Sequence, residues 1–199
     1  MAAMESSYML KHNKRGVSFS EMNLFNCMHK DGVYTDKSCH NGGDVAAVYQ
    51  AARDHGLVLT KDDEPYMSKI SRTDSNFTFV FKPKHCDIKP VVTRLQNWGS
   101  ISEVNGPQRE NILKSLLLKY GPLTTYFRAD KAFMALTGEW NRPCNQSVAI
   151  NHVMTVIGWT KKHWIMKNSY GNYPKIVLPK NEWGEEEGEA PQTWFLPFG

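Results

Sequence analysis

Apolar residues recur at helical spacing in four stretches of this chain, and they gather into short strand-like runs in its second half. Met1 to Leu10 is apolar-rich, is built of good helix formers and stops ahead of Gly16, which predicts a helix. Ser20-Glu-Met-Asn-Leu reads as a short helix capped by Ser18 or Ser20, since a serine hydroxyl can accept from the unpaired N–H groups of a first turn. Between Cys27 and Gly43 the chain turns to Asp, Gly, Asn and Ser, a loop composition. Asp44 then caps a helix to about Asp54, with Val45, Val48, Tyr49 and Ala52 on one face, and Gly56 ends it.

From Asp62 to Pro90 the signals are loop and short strand, with Phe77-Thr-Phe-Val-Phe the best strand by its aromatic and β-branched content. Gln108 to Tyr120 is an amphipathic helix with Ile112, Leu113, Leu116 and Leu117 inward. Strand-like pieces follow at Leu123 to Phe127, His152 to Trp159 and His163 to Lys167. The pattern predicts an α+β fold with two subdomains, a helical one over 1–90 and a strand-rich one over 91–199. A cleft between such subdomains commonly holds an active site.

Composition narrows the function classes. The 199 residues carry a net charge of +4 with the basic residues scattered, so a solvated surface is expected and no nucleic-acid partner. No apolar run reaches membrane-spanning length, so no membrane partner is expected either. The first residues, interrupted by Glu5 and Lys11, do not form a secretory signal. The four cysteines, Cys27, Cys39, Cys86 and Cys144, form no CxxC pair, and the histidines stand at no metal-ligand spacing. No metal and no cofactor are expected. Two disulfides, or one plus two free thiols, are open on count alone. The sequons Asn76-Phe-Thr and Asn145-Gln-Ser are compatible with a secretory product.

The chemistry concentrates in one segment. A polar Asn151-His152 pair opens the apolar run that ends at Trp159, and Asn168 closes the run that begins at His163. A short hairpin between these runs would pair them antiparallel and bring His152 and Asn168 together. A histidine oriented by an amide is the base-and-orienter half of a Cys-His-Asn site. A structural pair is the other reading of the same two residues.

Several blocks, in order, resemble the papain family of cysteine peptidases over roughly residues 1–171. The segment 150–171 is similar to the family's histidine and asparagine signature, with Tyr170 where the family has Trp. Ser20-Glu-Met-Asn-Leu-Phe-Asn-Cys27 resembles its Ser-Glu-Gln-x-Leu-x-x-Cys segment. Cys39-His-Asn-Gly-Gly43 resembles its Cys-x-Gly-Gly loop with one residue more, Glu64-Pro-Tyr66 its Tyr-Pro-Tyr turn, and Gly121-Pro-Leu123, followed by Ala129 and Phe133, its Gly-Pro-Val strand.

The resemblance implies a papain-like fold, a monomer, a peptide or protein substrate, and a lysosomal or extracellular compartment. It makes His152 the partner of a thiolate and Asn168 the orienter of its ring. It places Gly42, Gly43 and Asn151 along an extended substrate, and Val45 and Tyr126 at the main specificity pocket, which a bulky Tyr126 would narrow. It pairs Cys27 with Cys86 and leaves Cys39 and Cys144 without their usual partners.

The family's nucleophile opens a helix that Met1-Ala-Ala-Met-Glu resembles in continuation, so the catalytic cysteine and the oxyanion glutamine are expected upstream of Met1. As written, the chain is expected to be inactive and marginally stable. After Gly171 it departs from the pattern, and Trp183-Gly-Glu185 arrives only after an extra stretch. Three readings follow: a fragment or incomplete reading of a cysteine peptidase gene, a catalytically inactive relative that binds peptides or a protein, or a non-functional product.

Overall fold

The structure, a computed structural model, describes residues 1–32, 42–62, 70–73, 76–79, 86, 90–101, 108–134, 140, 147–169 and 193–197. Cys39, Cys144, Asn145, Glu64-Pro-Tyr66, Tyr170 and Trp183 lie outside the described residues. The chain divides into two compact units. One takes residues 3–102 with Met1, and the other takes residues 103–199 with Ala2.

The first unit is built on three helices: α1 (Ala2–His12), α2 (Glu21–Lys30) and α3 (Val45–Asp54). Ser20 caps α2, its hydroxyl accepting from the backbone N–H of Asn23 at 2.9 Å. The helix is longer than its opening residues suggested and runs through Cys27 to Lys30. Leu24, Cys27 and Met28 recur at i, i+3 and i+4 and are all buried, so packing holds the last turn where local composition argued for a loop. Asp44 caps α3 by accepting from Ala46 N–H. Met4, Phe19, Leu24, Met28, Ala51, Ala52 and Leu57 form the core of the unit.

Extended segments tie these helices together. Ser20 N–H donates to Val58 O at 2.8 Å, and Thr60 N–H donates to Ser18 O at 2.9 Å. Leu57 exchanges two bonds of 2.8 Å with the segment after residue 90: its N–H donates to Thr93 O, and its O accepts from Val92 N–H. That segment therefore belongs to the helical unit. A short 3-10 turn, Thr60–Asp62, and a two-stranded antiparallel ribbon, β1 (Ile70–Thr73) with β2 (Asn76–Phe79), complete it.

The second unit is a helix on a sheet. Helix α4 (Arg109–Tyr120) packs on β3 (Leu123–Phe127) and β4 (His152–Trp159), and β5 (His163–Lys167) and β6 (Thr193–Pro197) continue the sheet in the order β3-β4-β5-β6. On α4 only Leu117 is fully buried, while Ile112, Leu113 and Leu116 are half-buried. All three strand pairs are antiparallel. The one-turn helix α5 (Lys131–Met134) starts where Asp130 accepts from Phe133 N–H at 2.8 Å. Ala129, Phe133, Trp140, Met154 and Met166 make the core of this unit. The whole is an α+β architecture, as the residue pattern predicts.

Candidate active site

The site is set by the register of β3, β4 and β5. The turn between β4 and β5 is held by Thr160, whose Oγ1 accepts from the N–H groups of Lys162 and His163 at 3.2 and 3.0 Å. Beyond it Trp159 pairs with Trp164, then a bulge at Ile157 shifts the register, and Thr155 faces Lys167. One further step would set Asn168 opposite Met154. His152, two residues from Met154 on the same face, is then the diagonal neighbour of Asn168. Met154 and Met166 on that face are buried, so the His–Asn pair finishes an apolar stripe.

The two side chains meet. His152 Nε2 lies 2.9 Å from Asn168 Oδ1, with Asn168 only 2% exposed and His152 half-buried. Protonation follows from chemistry. Ser169 N–H, which can only donate, bonds the same Oδ1 at 2.8 Å and so fixes which end of the amide faces it. Two donors on one oxygen require Nε2 to carry a proton. In the neutral ring the basic lone pair therefore sits on Nδ1. Asn168 Nδ2 is buried and has no hydrogen-bond partner among the described residues. The Phe133 ring stands 6.5 Å from the imidazole, centroid to centroid, and tilted to it.

Asn151 holds the backbone ahead of His152. Its Oδ1 accepts from Ala129 N–H and its Nδ2 donates to Ala129 O, both at 2.8 Å, while its own N–H donates to Phe127 O at 3.1 Å. The side chain and the backbone N–H are thus spent on the fold. Tyr126 pairs with Val153 on the sheet face opposite His152, and both are exposed, at 49% and 38%. Sequence reasoning missed Val153 as the neighbour of Tyr126, and missed the Asn151–Ala129 clamp. Strand register alone reveals both.

Gly42, Gly43 and Val45 stand in the first unit, at the entry to α3. Gly42 and Gly43 are exposed, Val45 is half-buried, and Gly42 has a φ of 76°, a conformation in which a side chain is strained. Cys27 and Cys86 form a disulfide in the same unit. Among the described residues, Cys27, His55 and Cys86 are the one group whose nitrogen and sulfur atoms cluster tightly enough to suggest a metal. Sulfurs spent in a disulfide are not thiolate ligands, so this group does not make a metal centre in the oxidised chain.

The comparisons with known proteins agree with this architecture. The family model for papain family cysteine proteases matches residues 1–195. Cysteine proteinase 1 of Dictyostelium discoideum is 26% identical over 191 residues, covering 94% of this chain and 49% of that protein. Human cathepsin L2 is 25% identical over 195 residues, covering 90% of this chain and 52% of that protein. The chain spans about half the length of these curated relatives. Among solved structures, the cysteine protease CMS1MS2 of Carica candamarcensis, in complex with E-64, superposes with a TM-score of 0.59 at 20% identity, covering all of this chain (100%) and 76% of that one. No helix among the described residues is long and apolar enough to cross a membrane. The chain belongs to the papain family of cysteine proteases.

Proposed function

We propose that the unit bearing His152 and Asn168 is the base half of a cysteine peptidase site, and that the chain is a piece of a peptidase whose nucleophilic thiol stands ahead of residue 1. The observation that supports this reading is the shared Asn168 Oδ1. By accepting from both Ser169 N–H and His152 Nε2, it leaves Nδ1 as the nitrogen that exchanges a proton. Cys27 and Cys86 are spent in a disulfide, so neither serves as the nucleophile.

The chemistry runs through Nδ1. It takes the proton of the thiol, and the resulting imidazolium pairs with the thiolate and keeps it ionised. The thiolate attacks the scissile carbonyl carbon. Nδ1–H then protonates the departing amine, leaving a thioester. In the second half Nδ1 removes a proton from water, which attacks the thioester and releases the acid and the thiol. Asn168 holds the ring plane through both halves.

The substrate is an extended peptide or a protein segment. Resemblance to the family is what assigns Gly42, Gly43 and Val45 of the first unit, and Asn151 and Tyr126 of the second, to substrate contact. The protein acts as a monomer in a lysosomal or extracellular compartment.

The 5′ end of the transcript tests the reading. The expected result is an in-frame block carrying a cysteine at the start of the α1 helix. A stop codon immediately ahead of Met1 would instead leave His152 and Asn168 as relics in a peptide- or protein-binding domain.

A further inference from the structure

A second constellation of sulfur, imidazole and carboxylate lies wholly within the first unit. Cys27 and Asp31 are one helical turn apart at the end of α2, so their side chains share a face. Asp31 Oδ2 bonds His55 Nε2 at 2.5 Å, and the other ring nitrogen, Nδ1, lies 4.0 Å from Cys86 Sγ. The ring also comes within 4.8 Å of Cys27 Sγ. The two sulfurs are not equivalent: Cys27 is 2% exposed, whereas Cys86 is only half-buried. His55 and Asp31 also reach solvent, with side-chain exposures of 25% and 43%.

We infer that Cys27–Cys86 is an exchangeable disulfide: a low-molecular-weight thiol attacks Cys86, and His55, held by Asp31, serves the thiolates that exchange releases. The sulfur of the less buried cysteine, beside an oriented imidazole, takes the incoming group, and the sulfur of the buried cysteine is the leaving group. In the first step the small thiolate attacks Cys86 Sγ. The bond to Cys27 Sγ breaks with its electron pair going to Cys27, and a mixed disulfide remains on Cys86. The imidazolium, its Nε2–H held by the Asp31 carboxylate, donates through Nδ1 to the departing sulfur. A second small thiol attacks its counterpart in the mixed disulfide, releases Cys86 as a thiolate and leaves as the oxidised dimer. The net change is one protein disulfide and two thiols converted to two protein thiols and one small disulfide. The group held in the intermediate is thus a thiol such as glutathione, joined covalently to Cys86.

A purely structural role for His55 and Asp31 makes the opposite kinetic prediction. If they only bind the ends of α2 and α3 together, removing them loosens the site and speeds opening of the disulfide. If they assist the thiolates, removing them slows it.

The test uses the intact chain at fixed pH with glutathione as the probe. The rate of disulfide opening is read by thiol labelling, and the modified cysteine is located by peptide mass spectrometry. The expected result is glutathione on Cys86, with opening slowed about tenfold or more in His55→Gln and several-fold in Asp31→Asn. Far-UV circular dichroism checks that each variant is folded, and Asp31→Asn, an exposed change, carries the test alone should His55→Gln fail to fold. Glutathione on Cys27, or opening as fast as or faster than the parent in the folded variant, overturns the inference.

Discussion

The side-chain amide of Asn151 closes a two-bond ring with the backbone of Ala129, donating to its oxygen and accepting from its nitrogen, each at 2.8 Å. Ala129 is itself buried, so those backbone groups have little recourse to water. The clamp joins the residue before His152 to the stretch that leaves β3, and it thereby fixes where the imidazole begins.

Asn151→Ala leaves the N–H and the carbonyl of Ala129 unpaired. The expected cost is about 1–3 kcal/mol of stability, read from the midpoint of denaturant unfolding at unchanged slope. A midpoint equal to the parent's would show that the clamp contributes nothing.

The double use of Asn168 Oδ1 fixes the His152 tautomer. Nitrogen-15 NMR of the imidazole is expected to show the proton on Nε2 in the neutral ring, and Asn168→Ala is expected to let the two tautomers mix. A parent ring protonated at Nδ1 instead would mean that the Asn168 oxygen does not orient it.

Gly56 has a φ of 85°, and a Cβ placed there would lie 2.4 Å from Val91 Cγ1 and 3.1 Å from Thr93 O. The strain and the clash act together on the backbone that links α3 to the segment after residue 90. Gly56→Ala is expected to destabilise by about 2 kcal/mol or more, seen as a lowered thermal midpoint. A neutral or stabilising effect would show that this segment yields freely.

Much of this arrangement is legible in the residues themselves. Leu123–Phe127, His152–Trp159 and His163–Lys167 each form the strand that their apolar runs predict, and a short turn decides the pairing of the last two locally. Asp44 and Ser20 announce their helices through capping chemistry that needs no distant partner. The His152–Asn168 meeting follows from one hairpin and was visible for that reason.

What escaped depends on contacts far apart in the chain. Strand β6 reads as an apolar tail until β5 supplies its partner, with His163 facing Pro197. The last turn of α2 runs into a loop-like stretch of sequence and is helical because Cys27 and Met28 are buried. The Asn151 clamp needs Ala129, and the His55–Asp31 pair spans two helix ends, so neither is written in local spacing. The extension of the first unit past residue 90 likewise rests on the bonds of Leu57 to Val92 and Thr93.

Peptide hydrolysis by the protein encoded by the full transcript, compared with its His152→Ala variant, tests the central claim most directly. The account predicts cleavage that thiol alkylation abolishes, and a loss on the order of 10³-fold or more in kcat/KM for His152→Ala while the fold is retained. No cleavage by the parent, or a His152→Ala variant as fast as the parent, would contradict it.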